Sequence, residues 1–117
     1  MLLLGRRASH KRICPGLWDV IGGHVEGGET IEQALARELR EEIGVTPVGA
    51  TKLASIPFVD GTEKVELHVF RVDAWTGDPV LANDEHTELR WFTVAAASAL
   101  SDLAAREYVD LFRTLEV

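Results

Sequence analysis

Apolar residues recur at every fourth position in one segment of the chain, as they do along the buried face of an α-helix. They are Ile31, Leu35, Leu39 and Ile43. Thr30 stands at the N-cap position of this pattern, and Gln33 completes a capping box. Gly44 ends the pattern, and Pro47 soon after it cannot continue a helix. The sequence therefore predicts a helix over residues 31–43.

Runs of β-branched and alternating apolar residues predict strands elsewhere in the chain. They cover residues 1–4, ending at Gly5, and residues 17–21, 52–59, 62–74 and 88–93. Asp60-Gly61 separates the two long runs and favours a type I′ hairpin turn between them. Residues 76–87 form a polar loop.

A second helical pattern lies near the end of the chain, where apolar residues recur at steps of three and four. They are Leu100, Leu103, Ala104, Tyr108, Leu111, Phe112 and Leu115. We interpret this segment as an amphipathic helix that covers a sheet. Strands interleaved with two helices then predict an α/β or α+β fold, in which a mixed sheet packs between helices.

Length and charge narrow the class of protein. A chain of 117 residues with 46% hydrophobic content forms one domain with one core, over residues 1–117. The net charge of -7 argues against binding to nucleic acid or to an anionic membrane. A single cysteine, Cys14, and an apolar start of only four residues, Met1 to Leu4, predict a cytoplasmic protein.

Three glutamates, Glu38, Glu41 and Glu42, fall on one edge of the predicted helix, and Glu42 enters its apolar face. The simplest interpretation is a solvated acidic face balanced by Arg37 and Arg40. Near a core, however, two like charges ~6 Å apart at an effective dielectric constant of ~20 repel by roughly 3 kcal/mol. A divalent cation would remove this repulsion.

Carboxylates and carbonyls are the ligands that Mg²⁺ and Mn²⁺ prefer, and Mg²⁺ commonly joins carboxylates to phosphate oxygens. Glycines at positions 22, 23, 27 and 28 lie just before the helix, where the backbone must turn and approach a ligand closely. The segment therefore predicts a Mg²⁺ or Mn²⁺ site for a phosphorylated ligand.

The same segment resembles the Nudix box at every fixed position of that motif. The matching positions are Gly23, Glu29, Arg37-Glu38-Leu39, Glu41-Glu42 and Gly44-Val45, with the motif's spacing between them. The resemblance implies a Nudix-type α/β/α sandwich, of the MutT-like hydrolases. It also implies Mg²⁺- or Mn²⁺-dependent hydrolysis of a nucleoside diphosphate linked to another group.

The resemblance further implies roles for single residues. Glu38, Glu41 and Glu42 correspond to metal ligands, joined by the backbone carbonyl of Gly22. Gly23, Glu29 and Arg37 correspond to supporting residues that hold the loop against the helix.

Pyrophosphate hydrolysis needs a group that takes the proton of the attacking water. Glu41 or Glu42 could serve within the box. Outside it, Glu85 lies where some Nudix enzymes carry a further metal-binding or catalytic glutamate, with Glu88 and Asp84 as alternatives. The adjacent His86 is assigned no role.

Cationic and aromatic residues are the candidates for substrate contacts. Arg6 and Arg7 end the first strand and could bind phosphates, although a surface charge pair explains them equally well. His24 lies in the variable part of the box and could face the phosphates. The rings of Trp18, Phe58 and Trp91 could stack on a base, but core positions are the commoner use of such side chains.

The favoured substrate is a nucleoside or deoxynucleoside triphosphate, cleaved to monophosphate and pyrophosphate. Dinucleoside polyphosphates, nucleotide sugars and ADP-ribose stay open, as does a sensor module that binds a nucleotide without cleaving it. Nudix domains usually begin with a further strand. Either the start of this chain is truncated, or its sheet lacks one strand and has an open edge that must be covered, for instance by pairing as a homodimer.

Overall fold

The computed structural model describes residues 1–22 and 24–115, with the exception of the side chains at positions 58 and 60. The strands are β1 (Leu2–Arg7), β2 (Trp18–Asp19), β3 (Thr46–Asp60), β4 (Glu63–Thr76) and β5 (His86–Phe92). The helices are α1 (Ile31–Ile43), α2 (Val94–Ser98) and α3 (Tyr108–Thr114). No helix in these ranges is long and apolar enough to cross a membrane.

Helix α1 has the predicted bounds because local chemistry sets both of its ends. The Thr30 hydroxyl accepts a hydrogen bond from the Gln33 backbone N–H at 3.1 Å, and the Gln33 side chain accepts one from the Thr30 N–H at 2.9 Å. Gly44 adopts a left-handed conformation with φ of 70°, which closes the helix.

The strands form two antiparallel sheets, in the orders β2-β1-β5 and β3-β4. The α/β class is thus confirmed, but the sheets differ from the expected mixed sheet. Among the described residues only an isolated bridge between Trp18 and Leu103 is parallel.

Two apolar clusters lie on opposite faces of β1 and β5. Leu4 and Phe92 belong to the cluster beneath α2 and α3, whereas Leu3 and Leu89 pack against the cluster beneath α1. Successive residues of a strand point to opposite faces, so one strand supplies both clusters. The result is helices on both sides of the β-structure, as in the predicted sandwich.

The first strand does not end at Gly5 but continues to Arg7. Gly5 pairs with Asp19 on one side and with Leu89 on the other, which keeps it in the sheet. The second strand is shorter than predicted and covers only Trp18 and Asp19.

The long hairpin extends further than predicted on both sides. Its turn contains Gly61 and Thr62, one residue later than expected, and Gly61 has φ of 64°. Thr62 is not among the residues with positive φ, so the pattern fits a type II′ turn rather than type I′. Register shifts at Gly49 and between Lys52 and Ala54 allow β3 to continue past its irregular start.

The single helix predicted near the end of the chain is wrong. Residues 94–114 instead form α2 and α3, with a non-helical segment between them. The Trp18 N–H donates to the Asp102 carbonyl at 2.9 Å, and the Ala104 N–H donates to the Trp18 carbonyl at 2.7 Å. These bonds to β2 use backbone groups that a continuous helix would need.

Candidate functional site

The guanidinium of Arg37 joins α1 to the loop before it. Its Nε and Nη2 donate to the two carboxylate oxygens of Glu29 at 2.8 and 2.9 Å. Nη2 also donates to the His24 carbonyl at 2.9 Å. The hydrogen bonds from Arg37 hold the pKa of Glu29 below its usual range. The structure thus brings together two of the predicted supporting residues, while Gly23 lies outside the described residues.

The same arginine contacts two of the three predicted metal ligands. Its Nη1 lies 2.6 Å from Glu38 Oε1 and 3.3 Å from Glu41 Oε2. The Glu38 side chain is largely covered, whereas that of Glu41 is 55% exposed. Part of the acidic edge is therefore balanced by arginine, as the simpler interpretation of the sequence expected.

Glu42 differs from its neighbours because it is buried and lacks a matching partner. Only 4% of its surface is exposed, and its Oε2 has no hydrogen-bond partner among the described residues. Burial, together with the charges of Glu38 and Glu85, raises the pKa of Glu42 to about 8. A buried carboxylate without a partner is costly, so this position favours either a proton or a cation.

Glu85 reaches the same region from the loop before β5. Its carboxylate forms an ion pair with Lys11, whose hydrogen bond lowers the pKa of Glu85. The Glu85 carbonyl accepts a hydrogen bond from the Ala8 N–H at 3.0 Å, which ties this loop to the end of β1. The rival candidate Glu88 is instead paired with Arg90 at 2.5 Å, on β5 itself.

The acidic residues fit a hard cation, although they do not yet form a complete coordination shell. Among the described residues, no three acidic, histidine or cysteine side chains converge on a single point. The unpartnered oxygen of Glu42, flanked by the charges of Glu38 and Glu85, is nevertheless the environment that a divalent cation stabilises. Gly22 and Glu38 line one cleft.

A small basic pocket of about 170 Å³ lies beside this acidic region. It is lined by Arg7, Lys11, Arg12, Ile13 and His24. Arg7 is held there by a bond from its Nε to the Ile13 carbonyl at 2.7 Å. Two of the predicted substrate-binding residues, Arg7 and His24, therefore share one pocket.

The structure does not bring Arg6 to this pocket. Its Nε donates to the Gly16 carbonyl at 3.0 Å, and its guanidinium lies 5.8 Å from the centre of the Trp18 ring. Neighbouring residues of a strand point to opposite faces, which explains the separation of Arg6 from Arg7.

A larger cleft, of about 1240 Å³, runs past the acidic edge. Trp75 and Trp91 line it and stack on each other with ring centres 6.1 Å apart. Their surfaces are 38% and 43% exposed, so Trp91 is not the core residue that the sequence favoured. Trp18 is a core residue, packed edge-on against Phe92, and the side chain of Phe58 lies outside the described residues.

Sequence reasoning missed several polar residues of this region. Asp19 Oδ1 accepts a hydrogen bond from the Tyr108 hydroxyl at 2.7 Å, and its Oδ2 lies 3.3 Å from Arg7 Nη1. Burial raises the pKa of Asp19. His86, assigned no role, is 6% exposed and lies beside Glu42. In the sequence, the only indication that His86 belongs to this region is that it follows Glu85.

Comparisons with known proteins show which proteins this chain resembles. The chain is 41% identical over 81 residues to the oxidized purine nucleoside triphosphate hydrolase of Danio rerio, with 68% of this chain and 51% of the relative covered. It is 32% identical over 108 residues to the nucleoside triphosphatase NudI of Enterobacter sp. (strain 638), with 84% and 77% covered. The chain thus spans about half the length of the Danio rerio relative.

A solved structure and the family model extend the comparison to nearly the whole chain. The MutT protein from Methanosarcina mazei Go1 superposes with a TM-score of 0.84 at 30% identity, covering 96% of this chain and 82% of that chain. The family model of the NUDIX domain matches residues 1–114. The chain belongs to the NUDIX domain family.

Proposed function

We propose that this chain is a pyrophosphohydrolase that cleaves a nucleoside or deoxynucleoside triphosphate to the monophosphate and pyrophosphate. The observation that carries the proposal is the buried Glu42 carboxylate, one oxygen of which has no partner in the described part of the chain, and which lies beside two further glutamates and a basic pocket. Acidic residues next to a basic pocket suit a phosphorylated substrate that binds together with a cation.

Mg²⁺ or Mn²⁺ is the proposed cofactor, held by Glu38, Glu41, Glu42 and the Gly22 carbonyl. When bound, the cation neutralises charge on phosphate oxygens and makes a water molecule more acidic. Arg37 already contacts Glu38 and Glu41, so it sets where both carboxylates stand before any cation arrives.

The basic pocket supplies the proposed phosphate contacts. Arg7 and His24 line it together with Lys11 and Arg12, and a guanidinium binds two phosphate oxygens at once. Burial raises the pKa of Glu42, and Lys11 and Arg7 offset part of this increase, which supports a phosphate pocket close to the acidic residues. Arg6, on the other face of β1, is the weaker candidate for a phosphate contact.

In the proposed reaction a water oxygen bonds to a phosphorus atom, and the bond from that phosphorus to the bridging oxygen breaks. The proton of the water passes to a carboxylate, and pyrophosphate leaves. Glu41, Glu42 and Glu85 are the candidate acceptors. Glu85, whose pKa Lys11 lowers, is ionised at neutral pH, whereas Glu42 is ionised there when a bound cation offsets the effect of its burial.

Release of phosphate and of pyrophosphate over a nucleotide panel, with Mg²⁺ or Mn²⁺, tests the proposal. The panel includes oxidised purine triphosphates, for which the Danio rerio relative is named, besides ordinary triphosphates, dinucleoside polyphosphates, nucleotide sugars and ADP-ribose. We expect Glu42→Gln to lower turnover more than tenfold. Glu32→Gln, an exposed change on the same helix, is the matched control and should leave turnover unchanged.

Two outcomes would overturn the proposal. If Glu42→Gln turns over the best substrate as fast as the parent does, the role assigned to Glu42 is wrong. Tight nucleotide binding by the parent without cleavage of any member of the panel would instead favour a sensor module.

Cytoplasmic location and pairing as a homodimer belong to the same proposal. Cell fractionation tests the location, and sedimentation velocity over a range of protein concentrations tests the pairing. A single monomeric species throughout that range would rule the homodimer out.

A further inference from the structure

Two buried polar groups without partners face each other at the centre of the acidic region. His86 Nδ1 lies 3.9 Å from Glu42 Oε1, and neither His86 Nδ1 nor Glu42 Oε2 has a hydrogen-bond partner among the described residues. A buried polar group without a hydrogen-bond partner destabilises the folded protein. A movement of about 1 Å would bring His86 Nδ1 within hydrogen-bond distance of Glu42 Oε1 and would leave Oε2 as the oxygen without a partner.

The position of the His86 ring is set by Gly5. A Cβ atom added to Gly5 would lie 2.5 Å from His86 Cδ2 and 2.8 Å from Cγ, closer than carbon atoms approach. The ring therefore rests against the backbone of β1, and glycine is needed at position 5 for space. Because β1 and β5 are paired along their length, this contact fixes His86 relative to the sheet.

Four charged or titratable side chains surround the ring: Glu42 from α1, Glu85 from the preceding loop, and Arg7 and Lys11 from β1 and its following loop. A neutral imidazole donates from one nitrogen only, and a nearby carboxylate oxygen selects which nitrogen that is.

We propose that His86 is a positioning residue: its Nδ1–H donates to Glu42 Oε1 and so holds Glu42 Oε2 ready for the cation. The inference rests on the proposed function, because it assigns His86 to the same cation site. Outer partners that orient a coordinating carboxylate are a general feature of metal sites, and their loss typically lowers metal affinity 10- to 100-fold.

The geometry of the side chains gives matched variants. In His86→Asn the amide nitrogen can occupy the place of Nδ1, whereas in His86→Gln it lies further out, near the place of Nε2. His86→Phe keeps the ring shape without any donor. Gly5→Ala leaves His86 intact but displaces its ring, and Gly5 itself belongs to no part of the proposed site.

The decisive measurement is Mn²⁺ affinity without nucleotide, followed by electron paramagnetic resonance. We expect His86→Phe, His86→Gln and Gly5→Ala to weaken Mn²⁺ binding about 10- to 100-fold, and His86→Asn to stay within about threefold of the parent. In turnover assays the first three variants should lose kcat with little change in KM for the nucleotide.

A purely structural role would lower the melting temperature of all four variants without separating Asn from Gln in Mn²⁺ affinity, and that result would overturn the proposal. If His86→Phe fails to fold, the comparison of Mn²⁺ affinity between His86→Asn and His86→Gln is sufficient, since both new side chains are polar and similar in size. Absence of Mn²⁺ uptake by the parent would also overturn it.

The outcome is distinguishable from failure of the proposed function. If the parent cleaves nucleotides but its Mn²⁺ affinity does not depend on position 86, the hydrolase proposal stands and the positioning role of His86 is refuted. If the parent cleaves nothing but its Mn²⁺ affinity depends on His86 as described, the positioning role stands and the hydrolase proposal is refuted.

Discussion

Replacing Glu42 by glutamine should change how the stability of the metal-free protein depends on pH. The substitution keeps the size of the buried side chain but removes its titration. In the parent, the pKa of Glu42 rises from 4.5 for an ordinary glutamate to about 8 in the folded chain. Between these values the folded state holds the proton and the unfolded state does not, so the stability of the parent falls as pH rises.

The magnitude follows from linkage. Each pKa unit corresponds to about 1.4 kcal/mol, so the parent loses about 3 kcal/mol between pH 4 and pH 7 through Glu42. Above pH 8 the loss reaches a plateau of about 5 kcal/mol. Any constant difference in packing or hydrogen bonding between Gln and Glu cancels when the two proteins are compared across pH. Against a total of about 5–15 kcal/mol, the effect is large.

Urea unfolding of both proteins at several pH values, in buffer with a chelator, measures the difference. We expect the advantage of Glu42→Gln to grow by about 3 kcal/mol from pH 4 to pH 7. Saturating Mg²⁺ should reduce this difference in unfolding free energy, because the cation binds the Glu42 carboxylate and so stabilises only the parent. A gap that stays constant over this pH range would refute the burial argument for Glu42.

Three further substitutions test other parts of the structure. Tyr108→Phe removes the hydroxyl that donates to Asp19 at 2.7 Å and should cost about 2 kcal/mol in urea unfolding; an unchanged midpoint would contradict a buried hydrogen bond there. Thr30→Ala removes the N-cap of α1 and should cost about 1 kcal/mol by thermal unfolding, whereas Thr114→Ala, at the end of α3, serves as a control with a smaller loss. Arg37→Met should release the loop before α1, so that limited proteolysis cuts near His24 and Glu29 faster than in the parent; equal cutting rates would show that other contacts hold the loop.

The sequence predicted α1 to the residue because its limits depend on nearest neighbours alone. Thr30, Gln33 and Gly44 act within one turn of the residues that they terminate. The segment after β5 was predicted wrongly for the opposite reason. Its periodic apolar residues are compatible with one helix, but backbone bonds from Trp18, distant in sequence, keep residues 102–104 out of it.

The candidate site, too, was predicted from the sequence only in part. The helical spacing placed Glu38, Glu41 and Glu42 on one edge, but spacing cannot tell which carboxylate the other elements cover. Segments distant in sequence cover Glu42: the Ala82 N–H donates to the Glu42 carbonyl at 3.0 Å, and His86, at the start of β5, lies beside the Glu42 side chain. Likewise, the alternation of a strand separates Arg6 from Arg7, but assigning one of them to the basic pocket requires the loop that contains Lys11.

The pairing of β1 has a consequence for how the chain acquires its structure. Leu2 pairs with Phe92, and Arg6 pairs with Trp18 on one side and Glu88 on the other, so the earliest strand depends on one of the latest. The hairpin of β3 and β4 joins neighbouring segments and can form sooner, since closing a short loop loses less entropy. During refolding, pulse-labelled hydrogen exchange should therefore show amides of residues 63–76 protected before those of residues 2–7. During synthesis β1 can pair with β2 early, whereas its pairing with β5 must wait until residues 86–92 have left the ribosome.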